Sequence, residues 1–188
     1  MLTTIDKVKE QLGIDEEDTS QDDMIERHIK TVTAAVEAYL KRKLELQEHT
    51  ERIAPVNSDI IVPKQWPIKE VVEVEYGDEI LDEEEYEVFE DKVIKKDGKW
   101  DKYEVQITYE AGYIMPGEEG RDLPYDLENA AIYHAMHTYH SFDRVGVKEE
   151  QVDRLRVRYA EPEKVGERPA PLPGPVMAML DPHRRLSL

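Results

Sequence analysis

The sequence predicts an α+β protein with a mainly helical core, an inserted small antiparallel β-sheet and an extended C-terminal tail. Three patterns predict it. Apolar residues at Ile25, Ile29, Val32, Val36, Tyr39/Leu40 and Leu44 are spaced by three or four, so they form one stripe on a helix of about six turns. Between Arg52 and Tyr113 the period drops to two, the repeat of half-buried strands. After Glu161, Pro162, Pro169, Pro171, Pro173 and Pro175 fall within fourteen residues, a composition that favours an extended chain. The expected organisation is a domain over 1–160 followed by a proline-rich tail over 161–188. Within the domain, helices are expected over 4–12, 20–44 and 124–142, with the β insertion at about 52–113.

Each element has a local reason. Thr3 or Thr4 caps the first helix, whose face is Ile5, Val8 and Leu12 and whose stop is Gly13. Ser20 is the expected N-cap of the second helix. Asp22 and Asp23 suit its first turn, and Lys41, Arg42 and Lys43 its last. In the insertion, Ile60-Ile61-Val62 is closed by Pro63 and Pro67, and Val72, Val74 and Tyr76 alternate with glutamates. Gly77-Asp78 marks a turn and Asp97-Gly98 a hairpin turn. Tyr86–Phe89 and Val93-Ile94 read as short strands, and Tyr103, Val105, Ile107 and Tyr109 alternate cleanly. Together they make four to six strands. In the third helix Leu127, Ala130, Ala131, Ala135 and Thr138 give a small-residue face suited to close packing.

The 188 residues include 43 Asp and Glu against 25 Lys and Arg, giving a net charge of −18. The imbalance lies before residue 143, with 35 acidic and 16 basic groups up to Phe142 and eight and nine after it. Such a body repels nucleic acid. An apolar fraction of 39% and a mean hydropathy of −0.69 come with no run long enough to span a membrane. The first residues lack a basic segment followed by an apolar one, so no secretory signal is expected. With no cysteine there are no disulfides and no thiolate metal sites.

Chemistry is sparse. There is no P-loop, GxGxxG, HExxH or GxSxG. The acidic loop IDEEDTSQDD fails the EF-hand pattern, since no register puts Gly at the sixth position and Glu at the twelfth. His134, His137 and His140 share a helical stripe, so His134 and His137 could share a metal such as zinc, but a third ligand from the same helix is harder because His140 has rotated well away from His134. Packing or solvation is the better reading, so no metal and no cofactor are expected. Arg154, Arg156 and Arg158 alternate with apolar residues in RLRVRY and suit pairing with acidic neighbours, those of an adjacent subunit included.

The order of the pieces carries a resemblance. TTIDKVKEQLGI, the acidic loop and DDMIERHIKTVTAAVEAYLKRKL are similar to the opening of tailed-phage head–tail connector proteins, the adaptor or head-completion subunits under the portal. VPKQWPIKEVVEVEY, VQITYEAGY, LPYDLENAAIYHAMHTYH and LPGPVMAMLDPHRRL resemble later family segments in the same order. The longer proline-rich approach to the tail and the RLRVRY arm depart from the family pattern. The resemblance implies a non-enzymatic virion protein in a ring, usually of twelve, that binds the portal, extends the DNA channel and docks the next connector or tail component. DNA would pass without specific binding, and no membrane is involved. The expected portal anchor is Val176, Met177, Met179, Leu180, Arg184 and Arg185. Candidates for the subunit interface are Ile25, Val32, Tyr39, His137, Tyr139, Arg154, Arg156 and Arg158. Channel-lining candidates are Asp82, Glu83, Glu84 and Glu85, or the loop Asp15 to Asp23. Two other classes compete: an acidic DNA mimic and a histidine-based metal hydrolase.

Overall fold

The computed structural model describes residues 1–142, 149–152, 155–158, 164–165, 168–169 and 172–185, with side chains from 141 to 171 outside the description. The chain divides into two units: Met1–Lys41 with Pro116–Glu118 and Leu123–Leu188, and Arg42–Met115 with Glu119–Asp122.

In the first unit, helix α1 (Ile5–Leu12) starts where Thr4 accepts a hydrogen bond from the Lys7 N–H at 3.4 Å and ends at Gly13, in the left-handed region. Helix α2 (Asp22–Leu40) buries Ile25, Ile29, Val32, Val36 and Leu40, the predicted stripe. Helix α3 (Tyr125–Phe142) follows Pro124, and Leu127, Ala130, Ala131 and Ala135 are fully buried along it. These small residues let α1 and α2 pack against it. Glu128, also buried, takes the Lys7 ammonium at 2.6 Å and ties α1 to α3. Two short antiparallel pairs follow, β8 (Glu149–Val152) with β9 (Leu155–Arg158) and β10 (Lys164–Val165) with β11 (Arg168–Pro169). The chain then forms helix α4 (Gly174–Leu180) and a 3₁₀ turn, Asp181–His183.

The second unit holds two sheets. Strands β1 (Gln47–Ile53), β3 (Ile68–Tyr76), β4 (Glu79–Ile80) and β7 (Val105–Ala111) form one, in the order β1-β7-β3-β4. Strands β2 (Ile60–Ile61), β5 (Tyr86–Phe89) and β6 (Lys92–Lys95) form the other, in the order β2-β6-β5. Strand β7 alternates as predicted, with Val105, Ile107, Tyr109 and Ala111 inward. They join Val74, Tyr76, Val93 and Trp100 in one apolar core. Two polar groups of that core are paired: the Trp100 indole N–H donates to the Asp59 carbonyl at 2.7 Å, and the Tyr109 hydroxyl donates to Glu51 at 2.6 Å. Gly112 closes the unit. Its φ is 120° and a Cβ there would stand 2.5 Å from the Glu45 carbonyl oxygen, so only glycine fits.

Several expectations need correction. The fold is α+β but not mainly helical, for helix and strand are present in similar amounts among the described residues. Helix α2 starts after Gln21 rather than Ser20, and it stops at Leu40 rather than Leu44. Lys41 adopts the left-handed conformation, which costs a non-glycine residue about 1–2 kcal/mol, and no basic residue occupies the last turn. Beyond it the buried Arg42 guanidinium lies 3.4 Å over the Trp66 ring and donates to the Trp66 carbonyl, and Leu44 is fully buried. These contacts offset the cost of the turn. Strand β1 begins at Gln47, ahead of the expected start at Arg52. Asp97-Gly98 does not join two paired strands, because β6 pairs with β2 and β5 while β7 pairs with β1 and β3. Tyr103 precedes β7 and is 55% exposed.

Candidate assembly surfaces

Leu172, Val176 and Leu180 recur every four residues and are buried, Val176 and Leu180 completely, with α4 packed on α3. Polar groups fasten the following turn. The Tyr39 hydroxyl donates to Asp181 at 2.7 Å, and Arg184 lies 3.5 Å from Asp181 and 4.9 Å over the Tyr39 ring. His183 Nε2 meets Asp126 Oδ2 at 2.5 Å. Burial acts to raise the Asp126 carboxyl, but the bond and charge of His183 and backbone N–H donors outweigh it and hold the group below its usual range. Burial, and then the bond to Asp181, push the Tyr39 phenol above its usual value. Val176 and Leu180 are therefore core residues of the subunit, which corrects their assignment as a free anchor. Met177 and Met179 are half-buried, and Arg184 and Arg185 are exposed.

The interface candidates divide in the same way. Ile25 and Val32 are 1% exposed and belong to the core, a correction to their proposed role between subunits. Tyr39 is engaged by Asp181, and the Tyr139 hydroxyl bonds the Gln21 side chain. His137 is exposed on α3. Arg154 lies outside the described residues. Arg156 and Arg158 lie on β9, in register with Gln151 and Glu149 of β8. His134 is half-buried, its ring 6.4 Å from that of His137, and burial followed by the His137 charge lowers its pKa. Its Nδ1 is buried without a hydrogen-bond partner. His140 packs edge-on to Tyr139 at 5.5 Å. Among the described residues no group of three or more His, Asp or Glu is placed to hold a metal ion.

The two acidic segments are built turns. Asp15 accepts from the Glu17 N–H and Asp18 from the Ser20 N–H, both at 3.0 Å. The Ser20 hydroxyl first, and then its N–H, lower the Asp18 pKa by hydrogen bonding to the carboxylate. Lys9, 2% exposed, donates to the Glu16 carbonyl at 2.7 Å and lies 3.1 Å from Asp22, so one buried cation clamps the loop. Sequence reasoning missed Lys9, although a lysine one turn before an acidic loop was a visible signal. In the other segment the Glu85 carboxylate accepts from the Asp82 N–H at 2.9 Å, and Asp82, Glu83, Glu84 and Glu85 are all exposed. No helix among the described residues is long and apolar enough to cross a membrane.

A sequence profile of the head completion protein family matches residues 1–186. The chain belongs to that family. Among curated proteins none matches its sequence. Among solved structures, this head completion protein is similar to a chain from the neck of an empty GTA particle computed with C6 symmetry. That pair shares 14% identity, with a TM-score of 0.64, and the match covers 98% of this chain and 90% of the other. A chain from the virion of a native gene transfer agent particle matches at 15% identity and a TM-score of 0.62, covering 98% and 90%. A third, from the neck of the native particle computed with C12 symmetry, matches at 13% identity and 0.56, covering 88% and 84%. At these identities the likeness is one of fold.

Proposed function

We propose that this head completion protein is a structural subunit of the virion neck, a head–tail connector that forms a homo-oligomeric ring under the portal. The observation that carries the reading is the family match over residues 1–186. The C6 and C12 symmetry of the neck particles holding its structural neighbours supports a ring. In this reading the ring extends the DNA channel, and its charge of −18 keeps the duplex from adhering to the wall, since each phosphate contact avoided is one fewer to break during passage. The exposed turn Asp82–Glu85 and the loop clamped by Lys9 are the candidates for that wall. The portal-side contact falls to exposed Arg184 and Arg185 and to the half-buried Met177 and Met179, because Val176 and Leu180 are taken up by the subunit's own core. The protein has a structural role and no catalytic one. No observation favours the DNA-mimic or metal-hydrolase alternative.

The test is location. An epitope tag added to the chain and labelled with antibody in assembled particles is expected at the head–tail junction. Label on the capsid faces or the tail tip, or a chain absent from the particles, contradicts the proposal.

A further inference from the structure

From Asn129 to Phe142 the chain carries no Asp, Glu, Lys or Arg, although 36% of the whole sequence is charged. This stretch is most of α3. The inward face is accounted for by Ala130, Ala131 and Ala135, which are fully buried. The outward face has no such account. Asn129, Tyr133, His137 and His140 are exposed at spacings of four, four and three, Tyr133 at 43%, with Ile132 and Met136 half-buried beside them. Solvated helix surfaces ordinarily carry charge, and α2 does so at Asp23, Arg27 and Lys30. Loss of charge with retention of Tyr and Met is instead the composition of an interface core.

The net charge selects the occupant. Two copies of a −18 chain repel, and they approach at least Coulombic cost where neither presents a charge. A basic partner would gain nothing from this face and much from the acidic ones. A ring also needs a different receiving face, since contacts between unlike patches are what close by rotation. Helix α2 supplies one. Thr31, Ala34 and Ala38 are exposed on its outer side, the one charged residue from Thr31 to Ala38 is the half-buried Glu37, and the Thr31 hydroxyl is already bonded to the Arg27 carbonyl at 2.9 Å. Side chains that small leave room for the Tyr133 ring. We propose that the outward face of α3, centred on Tyr133 and His137, docks on the Thr31–Ala38 strip of α2 in a second copy, and that repetition of this contact closes the ring. The inference rests on the ring reading above and names its interface.

The natural chain has no cysteine, so a single introduced thiol is unique. Full-length Ala34→Cys and Tyr133→Cys proteins are prepared separately, mixed under mild oxidation and run beside the unmixed samples. The expected product is a covalent pair containing one of each, absent from either protein alone. Tyr133→Cys linked to itself means a symmetric pairing of α3 faces, and Ala34→Cys linked to itself a symmetric pairing of α2 faces. Either result overturns the proposal. No cross-link while the wild-type chain sediments as a ring overturns this interface and leaves the ring reading standing, whereas a wild-type chain that stays monomeric overturns both. As a second measurement, Tyr133→Asp is expected to raise the concentration for half-assembly by roughly tenfold or more with an unchanged melting temperature. Unchanged assembly of that variant counts equally against the proposal.

Discussion

Leu180→Ala is expected to destabilise the helical unit by about 3 kcal/mol. Leu180 is fully buried in a helix of seven residues that rests on α3, and buried Leu→Ala replacements cost about 2–5 kcal/mol. The lower half of that range applies because α4 is short. Once the penalty exceeds the free energy that holds the helix down, α4 detaches and the loss levels off at that value. The same limit makes Val176→Ala combined with Leu180→Ala less than additive. At about 2–4 °C per kcal/mol for a chain of this length, the single change lowers the melting temperature by about 6–12 °C. The assay is urea and thermal unfolding followed by far-UV circular dichroism. Both tryptophans, Trp66 and Trp100, lie in the β unit, so fluorescence follows that unit separately. A helical transition displaced by less than about 0.5 kcal/mol, the range of ordinary surface substitutions, refutes the reasoning, because it means α4 is undocked in solution.

Gly112→Ala is expected to cost the β unit about 2 kcal/mol or more, since the φ of 120° and the Glu45 carbonyl 2.5 Å from the new Cβ oppose it together; the tryptophan fluorescence midpoint in urea reads the loss. Stability is expected to fall as pH drops below about 6.5. Burial is the first cause lowering the His134, His28 and His49 pKa values, so the unfolded chain takes up protons that the folded one resists. That contribution is complete above 6.5, and His134→Gln flattens the slope of melting temperature against pH. A second decline follows below about 3.8, where Asp126 loses its depressed-carboxylate contribution, and it is weakened in His183→Ala. Duplex DNA is expected to show no binding at micromolar protein in physiological salt by fluorescence anisotropy; a bound state with a steep salt slope contradicts an acidic channel.

What was legible in the sequence was what depends on neighbours along the chain. The stripe from Ile25 to Leu40 and the alternation from Val105 to Tyr109 follow from local period, and both are buried as read. The end of α2 was not legible, because it is decided by Trp66, which holds Arg42 from 24 residues away. Strand β1 was missed because Gln47–Ile53 has almost no apolar alternation and owes its place to pairing with β7. The C-terminal segment was misread for a different reason. Its prolines outweighed the fourfold spacing of Leu172, Val176 and Leu180, which was the signal of a helix with one buried side. At the candidate assembly surfaces, the acidic turns were visible as charge runs. The Lys9 clamp had one local signal, a lysine one turn before an acidic loop, whereas the bond from Tyr39 to Asp181, 142 residues apart, has no local signature.

The central claim is that copies of this chain close into a ring around a channel. Electron-microscopic imaging of the purified full-length protein at rising concentration, with mass measured by sedimentation in parallel, tests it most directly. The account predicts annular particles with one rotational symmetry and an open centre, whose mass is a whole multiple of the 21.9 kDa chain. A monomer at every concentration, or a compact dimer without a central opening, contradicts it.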